Sequence, residues 1–530
     1  MIAGREGTPP AETPNGSSMR NERAEHRHAT RSAARLTALL APLAVWAALC
    51  PIYLADGNGL SPDSASYIDC ARSIVAGRGF EVRPFGGLDS PLRQPLDAFP
   101  PGYSLLTAGL VRLGVGDAYE AARAVTVGCS GLFLLLALAF YARTLPPWSA
   151  ALAGLALAAT PAMLIYETAC LSDGPYTLLA AASLLLLLKA TPASEADGPT
   201  SRRPRVGWLA FAAGLVGGFA WCVRNVGVAL FVASLAYFVM QMPRLRLAVA
   251  IRATVPWLLG WLLGGGWLLA WNVHRFGAMS PYRMPPGRLT AQGAAVITAA
   301  SVVAVVSAAL LLRRRLAPLW RARPAVALLG AFLLFHTFAI IMAHCVYRMG
   351  EAVQSPRFYV PVYWIALWFL ASGLGGLRRD SCSPRRAGER RRCRTAAAMI
   401  ALAMAVFAAS AGFRGRQDQP DRDELTRLGQ RIPKDKLVLA DRVEELRVFA
   451  DANARQTPDV AFGQAPLTWS QMDQAAQDGR LWGIALWDRD LSAEGRFGDA
   501  LRDLVLNPGR FPQWRKTEIG GRMTAWEYAP

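Results

Sequence analysis

The chain has 530 residues, of which 53% are hydrophobic and 18% charged, and a formal net charge of +19. So apolar a composition excludes an ordinary soluble enzyme, and the length leaves room for a second part beside a membrane body. The charge does not point to nucleic acid, because the arginines cluster in short loops between apolar runs and in the N-terminal tail. That is the positive-inside pattern of a membrane protein rather than a basic groove.

Residues 1–33 are polar, basic and without apolar periodicity, and they read as a disordered cytoplasmic tail. The apolar run 36–54 follows Arg31 and Arg35 and has no small-residue cleavage site, so it reads as an uncleaved signal anchor. Further runs at about 120–141, 147–165, 174–190, 207–223, 226–241, 253–272, 291–312, 324–343, 358–377 and 395–412 are each candidates to cross the bilayer. About eleven spans result, within a membrane domain covering 34–412 whose first outer loop is 55–119. Arg143, Arg202–Arg205, Arg244–Arg252, Arg313–Arg323 and Arg378–Arg394 then fall on one side, the cytoplasmic one. An odd count puts the last part, 413–530, on the periplasmic or extracellular side of a plasma (inner) membrane.

That last part changes character. KLVLAD, DVAFG, LWGIALWD and MTAWEY read as strands, and VEELRVFADA, TWSQMDQAAQ and FGDALRDLVL as amphipathic helices. The alternation predicts a small α/β domain with a mostly parallel sheet. The eight cysteines suggest no scaffold: Cys382 and Cys393 match no zinc spacing, and the segment after Phe413 has none. Cys70 and Cys345 are placed outside, and nothing in their spacing supports a bridge.

The chemistry concentrates in the first outer loop. Ser61-Pro62-Asp63 is a helix start, with a Ser cap, Pro at the first position and an acid in the first turn. Tyr67, Ile68, Ala71, Ile74 and Val75 fall on one helical face, with Asp69 and Arg72 free for water or head groups, and Gly77 and Gly79 end the run. The expectation is a short helix lying on the outer membrane surface. Asp63 is either a first-turn cap or an ionised base placed to accept a proton from an attacking hydroxyl or amine. Asp173 in LSDGPYTLL stands at the outer start of a span, where it reads as a cap before Pro175. Arg224, between two apolar runs, either snorkels to head groups or serves a site, since a charge at depth needs a partner. His344, Arg348, Glu351 and Arg357 crowd the loop before the 358–377 run, where arginines can hold a phosphate or lipid head groups.

An N-in anchor followed by a loop with Asp63, Tyr67, Ala71, Gly77, Gly79, Phe80 and Pro100-Pro101-Gly102-Tyr103 resembles the polytopic GT-C glycosyltransferases. Among them it is most similar to the bacterial relatives of protein O-mannosyltransferases and aminoarabinose transferases. LSDGPYTLL, RNVGVALF and SPRFYVPVYW resemble later motifs of the same family, and the likeness runs over about 35–412. The resemblance implies an inverting transfer from a polyprenyl-phosphate sugar to a lipid, glycan or protein acceptor on the outer face. Asp63 would organise or deprotonate the acceptor, Asp173 would be a second acid, and Arg224 and Arg357, with Arg348 nearby, would contact the lipid phosphate. Tyr67, Tyr103, His344 and Glu351 would line the cavity, with Asp56 as an alternative acid. Many relatives carry two adjacent acids where this chain has Asp63-Ser64. No cofactor is indicated, and a divalent cation is left open. The competing readings are a transporter or flippase of a lipid-linked or anionic substrate, and a non-catalytic family member. A transporter should show two matching halves with broken spans, and no such repeat is present.

Overall fold

The computed structural model describes residues 36–37, 39–54, 60–84, 92–97, 99–190, 203–241, 247–277, 324–347, 356–376, 422–440, 443–456, 468–487, 503–505, 507–519 and 523–529. A short apolar helix, α1 (Leu39–Tyr53), comes first. The polar loop follows as α2 (Pro62–Val75), an antiparallel ribbon of β1 (Glu81–Val82) and β2 (Gln94–Pro95), and α3 (Gly102–Arg112). Then come α4 (Ala118–Thr144), α5 (Pro147–Ala158), α6 (Pro161–Thr168), α7 (Asp173–Ala190), α8 (Arg203–Val223), α9 (Val228–Gln241), α10 (Leu247–Phe276), α11 (Pro324–Tyr347) and α12 (Val360–Gly376). α4, α7, α8, α10 and α11 each hold a stretch long and apolar enough to cross a bilayer, which makes this a multi-pass membrane protein.

The expected span 147–165 is two helices, because Pro161 cannot donate to the turn before it and starts α6 instead. The expected spans 291–312 and 395–412 lie outside the described residues. Among the described helices, α8 and α10 pack with their backbones in close apposition. A Cβ on Gly214, Gly218, Gly260 or Gly264 would fall within 2.4 Å of a backbone oxygen of the facing helix. Two small-xxx-small repeats thus bring the backbones together, as apolar helices in lipid require for tight association.

Residues 422–529 build a five-stranded sheet with helices beside it. Its elements are α13 (Arg422–Arg431), β3 (Leu437–Ala440), α14 (Val443–Val448), β4 (Asn453–Gln456), α15 (Trp469–Gln477), β5 (Leu481–Trp487), β6 (Trp514–Ile519) and β7 (Met523–Tyr528). The strand order is β4-β3-β5-β7-β6. β3 pairs parallel with β4 and β5, whereas β5–β7 and β7–β6 are antiparallel. The sheet is therefore mixed rather than mostly parallel. Only three residues separate β6 from β7, and so short a link permits only an antiparallel pair. The polar NARQ segment supplies β4, and the expected DVAFG strand lies outside the described residues.

The surface-helix expectation for α2 is overturned. Ser61 caps it through a bond from the Ser64 amide at 3.2 Å, and Gly77 and Gly79 follow it with φ of +76° and +82°. Yet Ser64–Ala71 are buried throughout, Asp69 included, so neither face lies on lipid. The partner is the chain's own C-terminal part. Asp69 accepts from the Arg83 amide at 2.6 Å and from Arg83 Nε at 2.9 Å. Arg83 reaches on to Asp451, donating Nη2 to its carboxylate at 2.6 Å and Nη1 to the Asp451 and Ala452 carbonyls. Arg72 donates to the Arg447 and Val448 carbonyls at 2.8 and 2.7 Å, and buried Arg447 returns a bond to the Arg83 carbonyl at 2.7 Å. Two charged side chains expected in water are instead the ties between α2 and residues 447–454.

The acids of this tie titrate below their usual range. Burial alone would raise Asp69, but the charge and hydrogen bonds of Arg83 outweigh it. Burial acts the same way on Asp451, and Arg83 and Arg72 bring it down from 3.8 to about 2. A depressed carboxyl stabilises the fold above its unfolded value and loses that contribution as pH falls through its folded value. Wild-type stability should thus carry no dependence from Asp451 above about pH 5 and fall progressively between about pH 5 and pH 1. Melting of wild type and Asp451→Asn across that window checks this, and the variant should show the shallower fall. Parallel curves would contradict it.

Candidate active site

Four charged side chains from four segments meet where α2, α7, the α8–α9 junction and the start of α12 converge. Asp63 stands in the first turn of α2, where the helix dipole favours its charge. Asp173 opens α7 and is fully buried. Arg224 has extended backbone at the break between α8 and the 3-10 turn Asn225–Gly227. Arg357 lies in the 3-10 turn Pro356–Tyr359 that leads into α12.

Their pairing is alternate in sign. Arg357 Nη2 pairs with Asp63 Oδ2, and Arg224 Nη1 pairs with Asp173 Oδ1. Arg357 Nε also stands 4.0 Å from Asp173 Oδ2, so Arg357 bridges the two acids. Burial opposes the Arg357 charge, but Asp173 and Asp63 together hold its pKa above the usual value. The Phe358 ring is the platform for both cations, with each guanidinium carbon 5.1 Å from its centroid. The Asp173 oxygens, Arg224 Nη1 and Arg357 Nε are buried without an aligned hydrogen bond. Buried ionic groups normally saturate their hydrogen bonds. Here charge is balanced while these four atoms have no aligned hydrogen bond.

Two glycines make the convergence sterically feasible. A Cβ on Gly102 would lie 2.4 Å from the Cys222 carbonyl oxygen, so the PPGY segment can seat α3 against the end of α8. A Cβ on Gly227 would lie 2.6 Å from the Trp221 Cα, so the turn after Arg224 can fold back on the same helix.

The other expected site residues fall differently. Tyr67 is buried one turn beyond Asp63, and its hydroxyl hydrogen-bonds Ser172 Oγ at 3.0 Å. Burial first, then the Asp63 charge, pushes its pKa well above the ordinary range, so it stays a neutral phenol. Tyr103 is also fully buried, donates to the Ala122 carbonyl at 2.9 Å and packs edge-on against Tyr67 at 5.0 Å. It braces α2 against α4 rather than meeting the charged cluster. Asp173 is not a cap: its side chain faces the guanidinium groups of Arg224 and Arg357. Arg224 does not snorkel, because its partner is Asp173 inside the protein. Asp56, Arg348 and Glu351 lie outside the described residues, and His344 belongs to α11 with its side chain outside them.

No family model matches the chain, and no curated protein matches it in sequence. Solved structures do match. ArnT from Cupriavidus metallidurans in the apo state aligns with a TM-score of 0.54 at 13% identity, over 92% of this chain and 97% of that one. The same protein bound to undecaprenyl phosphate gives 0.54 at 16% identity, over 93% and 97%. AglB, the archaeal oligosaccharyltransferase from Archaeoglobus fulgidus, in complex with an inhibitory peptide and a dolichol-phosphate, gives 0.53 at 12%, over 87% and 70%. The fold is that of the GT-C glycosyltransferases.

Within this GT-C fold, sequence reasoning missed Ser172, His336 and Phe358. Ser172 precedes Asp173 in the same motif and could have been found by asking what a buried Tyr67 hydroxyl bonds. Phe358 stands directly after Arg357, and Arg-aromatic adjacency is the signal for cation stacking. His336 leaves no such trace, since its partner is a backbone carbonyl.

Proposed function

We propose that this protein is a membrane glycosyltransferase that moves a sugar from a polyprenyl-phosphate donor to an acceptor on the outer face of the membrane, with inversion. One observation carries the reading: buried Arg224 and half-buried Arg357 converge with Asp63 and Asp173 in a fold shared with an undecaprenyl phosphate-bound protein. In the reaction, an acceptor hydroxyl or amine attacks the anomeric carbon on the face opposite the lipid phosphate. The new bond forms as the bond from carbon to phosphate oxygen breaks, and the acceptor proton passes to the Asp63 carboxylate. The electron pair leaves with the lipid phosphate, whose growing negative charge falls between Arg224 and Arg357. The carboxylates now facing these arginines occupy the place of that anion, and Asp173 keeps Arg224 neutralised when no phosphate is bound.

Asp63 and Asp173 each face a guanidinium, and no cluster of three or more His, Cys, Asp or Glu side chains forms among the described residues. The same reading puts the N-terminus in the cytoplasm and residues 413–530 outside as a small α/β domain. The sheet held onto α2 supports that placement, because it shares the side of Asp63.

The test is transfer by purified protein in nanodiscs, with labelled undecaprenyl-phosphate sugars and cell-envelope acceptors. Wild type should move label to an acceptor. Arg224→Ala should cut kcat/KM about 100-fold, the usual cost of one lost charge-stabilising group. Arg224→Lys, which keeps Asp173 paired, should fall less. Donor binding without transfer for any sugar and acceptor would sink the proposal.

A further inference from the structure

His336 is a fully buried histidine on α11, away from every motif that marks the charged cluster in the sequence. Its Nε2 is 2.9 Å from the Phe358 carbonyl oxygen. A carbonyl can only accept, so Nε2 carries the hydrogen and donates it. The ring is held flat by Tyr176, stacked at 6.1 Å and 20°, and bordered by Phe332 at 5.3 Å. Its other nitrogen, Nδ1, has no hydrogen-bond partner among the described residues. One polar bond and two aromatic contacts therefore fix a single ring orientation.

That bond ends on the residue that organises both arginines. Phe358 stands next to Arg357 in the 3-10 turn, and its ring lies under the guanidinium groups of both Arg224 and Arg357. A short turn ahead of a helix has few hydrogen bonds of its own to hold its register. The Phe358 carbonyl is held from a different helix, α11, so the His336 bond ties the turn to the helical body. Shifting the turn would move the Phe358 ring and the Arg357 fork together, and geometry of this kind sets the strength of a bidentate phosphate contact.

We infer that His336 is a positioning residue for lipid-phosphate binding, acting through Nε2–H on the Phe358 carbonyl to set the ring that carries Arg224 and Arg357. The inference rests on the proposed glycosyltransferase reading and adds to it a group that touches neither sugar nor phosphate. It makes an atom-level distinction. A glutamine amide can reproduce a donor at the Nε2 position, whereas asparagine places its polar group nearer Nδ1, and alanine has neither.

The experiment is binding of undecaprenyl phosphate itself, without sugar, to nanodisc-embedded wild type, His336→Gln, His336→Asn and His336→Ala, each first shown to be monodisperse with a cooperative melt. Wild type should bind, His336→Gln should stay within about threefold, and His336→Asn and His336→Ala should weaken by about tenfold. Equal weakening in all three variants would show a packing role and overturn the inference, as would wild-type affinity in all three. In both of those cases the glycosyltransferase reading stands. Absence of binding by wild type would overturn both.

Discussion

Arg83→Ala is expected to destabilise the protein by about 3–5 kcal/mol, the usual cost of removing one partner of a buried ion pair. The reason is what the truncation leaves behind. Asp69 is 1% exposed and takes two bonds from Arg83, one from the amide and one from Nε. Without the guanidinium, its remaining cationic neighbour is Arg93 at 3.8 Å, too far for an aligned hydrogen bond. In the same step the Ala452 carbonyl loses the Arg83 bond, and Asp451 loses its two bonds from Arg83 while its carboxylate keeps Arg72 and Lys434 and its carbonyl keeps Lys434. Arg83→Ala combined with Asp69→Asn should be less destabilised than the sum of the single changes, because the stranded charge is gone. Thermal unfolding in nanodiscs, with protease sensitivity of the C-terminal part as a second readout, measures both. A single variant that melts with wild type would show that the Arg83 side chain adds nothing to what Arg72, Arg447 and the aromatic contacts already hold. The aromatic contacts are Tyr119 and Phe449, edge-on at 5.0 Å, with Arg422 stacked on both rings.

The membrane body was legible because its signal is cumulative: each long apolar run between arginine-rich loops stands on its own. The charged residues at the mouths of those runs were legible for a related reason. Asp173 and Arg224 are too costly inside an apolar sequence to be there without a partner. What the sequence could not supply was the pairing. Asp63 and Arg357 are separated by 294 positions, and Asp173 and Arg224 by the two helices α7 and α8, so no local spacing rule joins them. The same gap produced the error over α2. An apolar face with Asp69 and Arg72 opposite it reads as a helix lying on a membrane, and the pattern is identical when the polar face meets a domain about 370 residues later. In the C-terminal part, β3, β5 and β7 were visible as apolar strands. β4 (Asn453–Gln456) and β6 (Trp514–Ile519) were not, because both sit at sheet edges where polar residues are tolerated. With β6 unseen, the antiparallel half of the sheet was unseen too.

Asp63→Asn should abolish transfer and strengthen donor-phosphate binding at the same time. The two effects have one source. Asparagine keeps the shape of the side chain and its place in the first turn of α2, where Ser61 still caps the helix, so the fold is retained. It cannot take the acceptor proton, and loss of a general base costs about 10²–10⁴-fold in rate. It also no longer competes for Arg357. On the proposed reading, the wild-type Asp63 carboxylate must give up part of its hold on that guanidinium before a phosphate can share it. Removing the competing charge leaves Arg357 more available, and undecaprenyl phosphate should bind several-fold more tightly. Asp63→Glu keeps a carboxylate with a longer reach and should retain partial transfer. Transfer and phosphate binding measured on the same nanodisc preparations separate the roles. A variant that loses both together would make Asp63 a structural anchor for Arg357, and one that transfers at the wild-type rate would move the base to another acid.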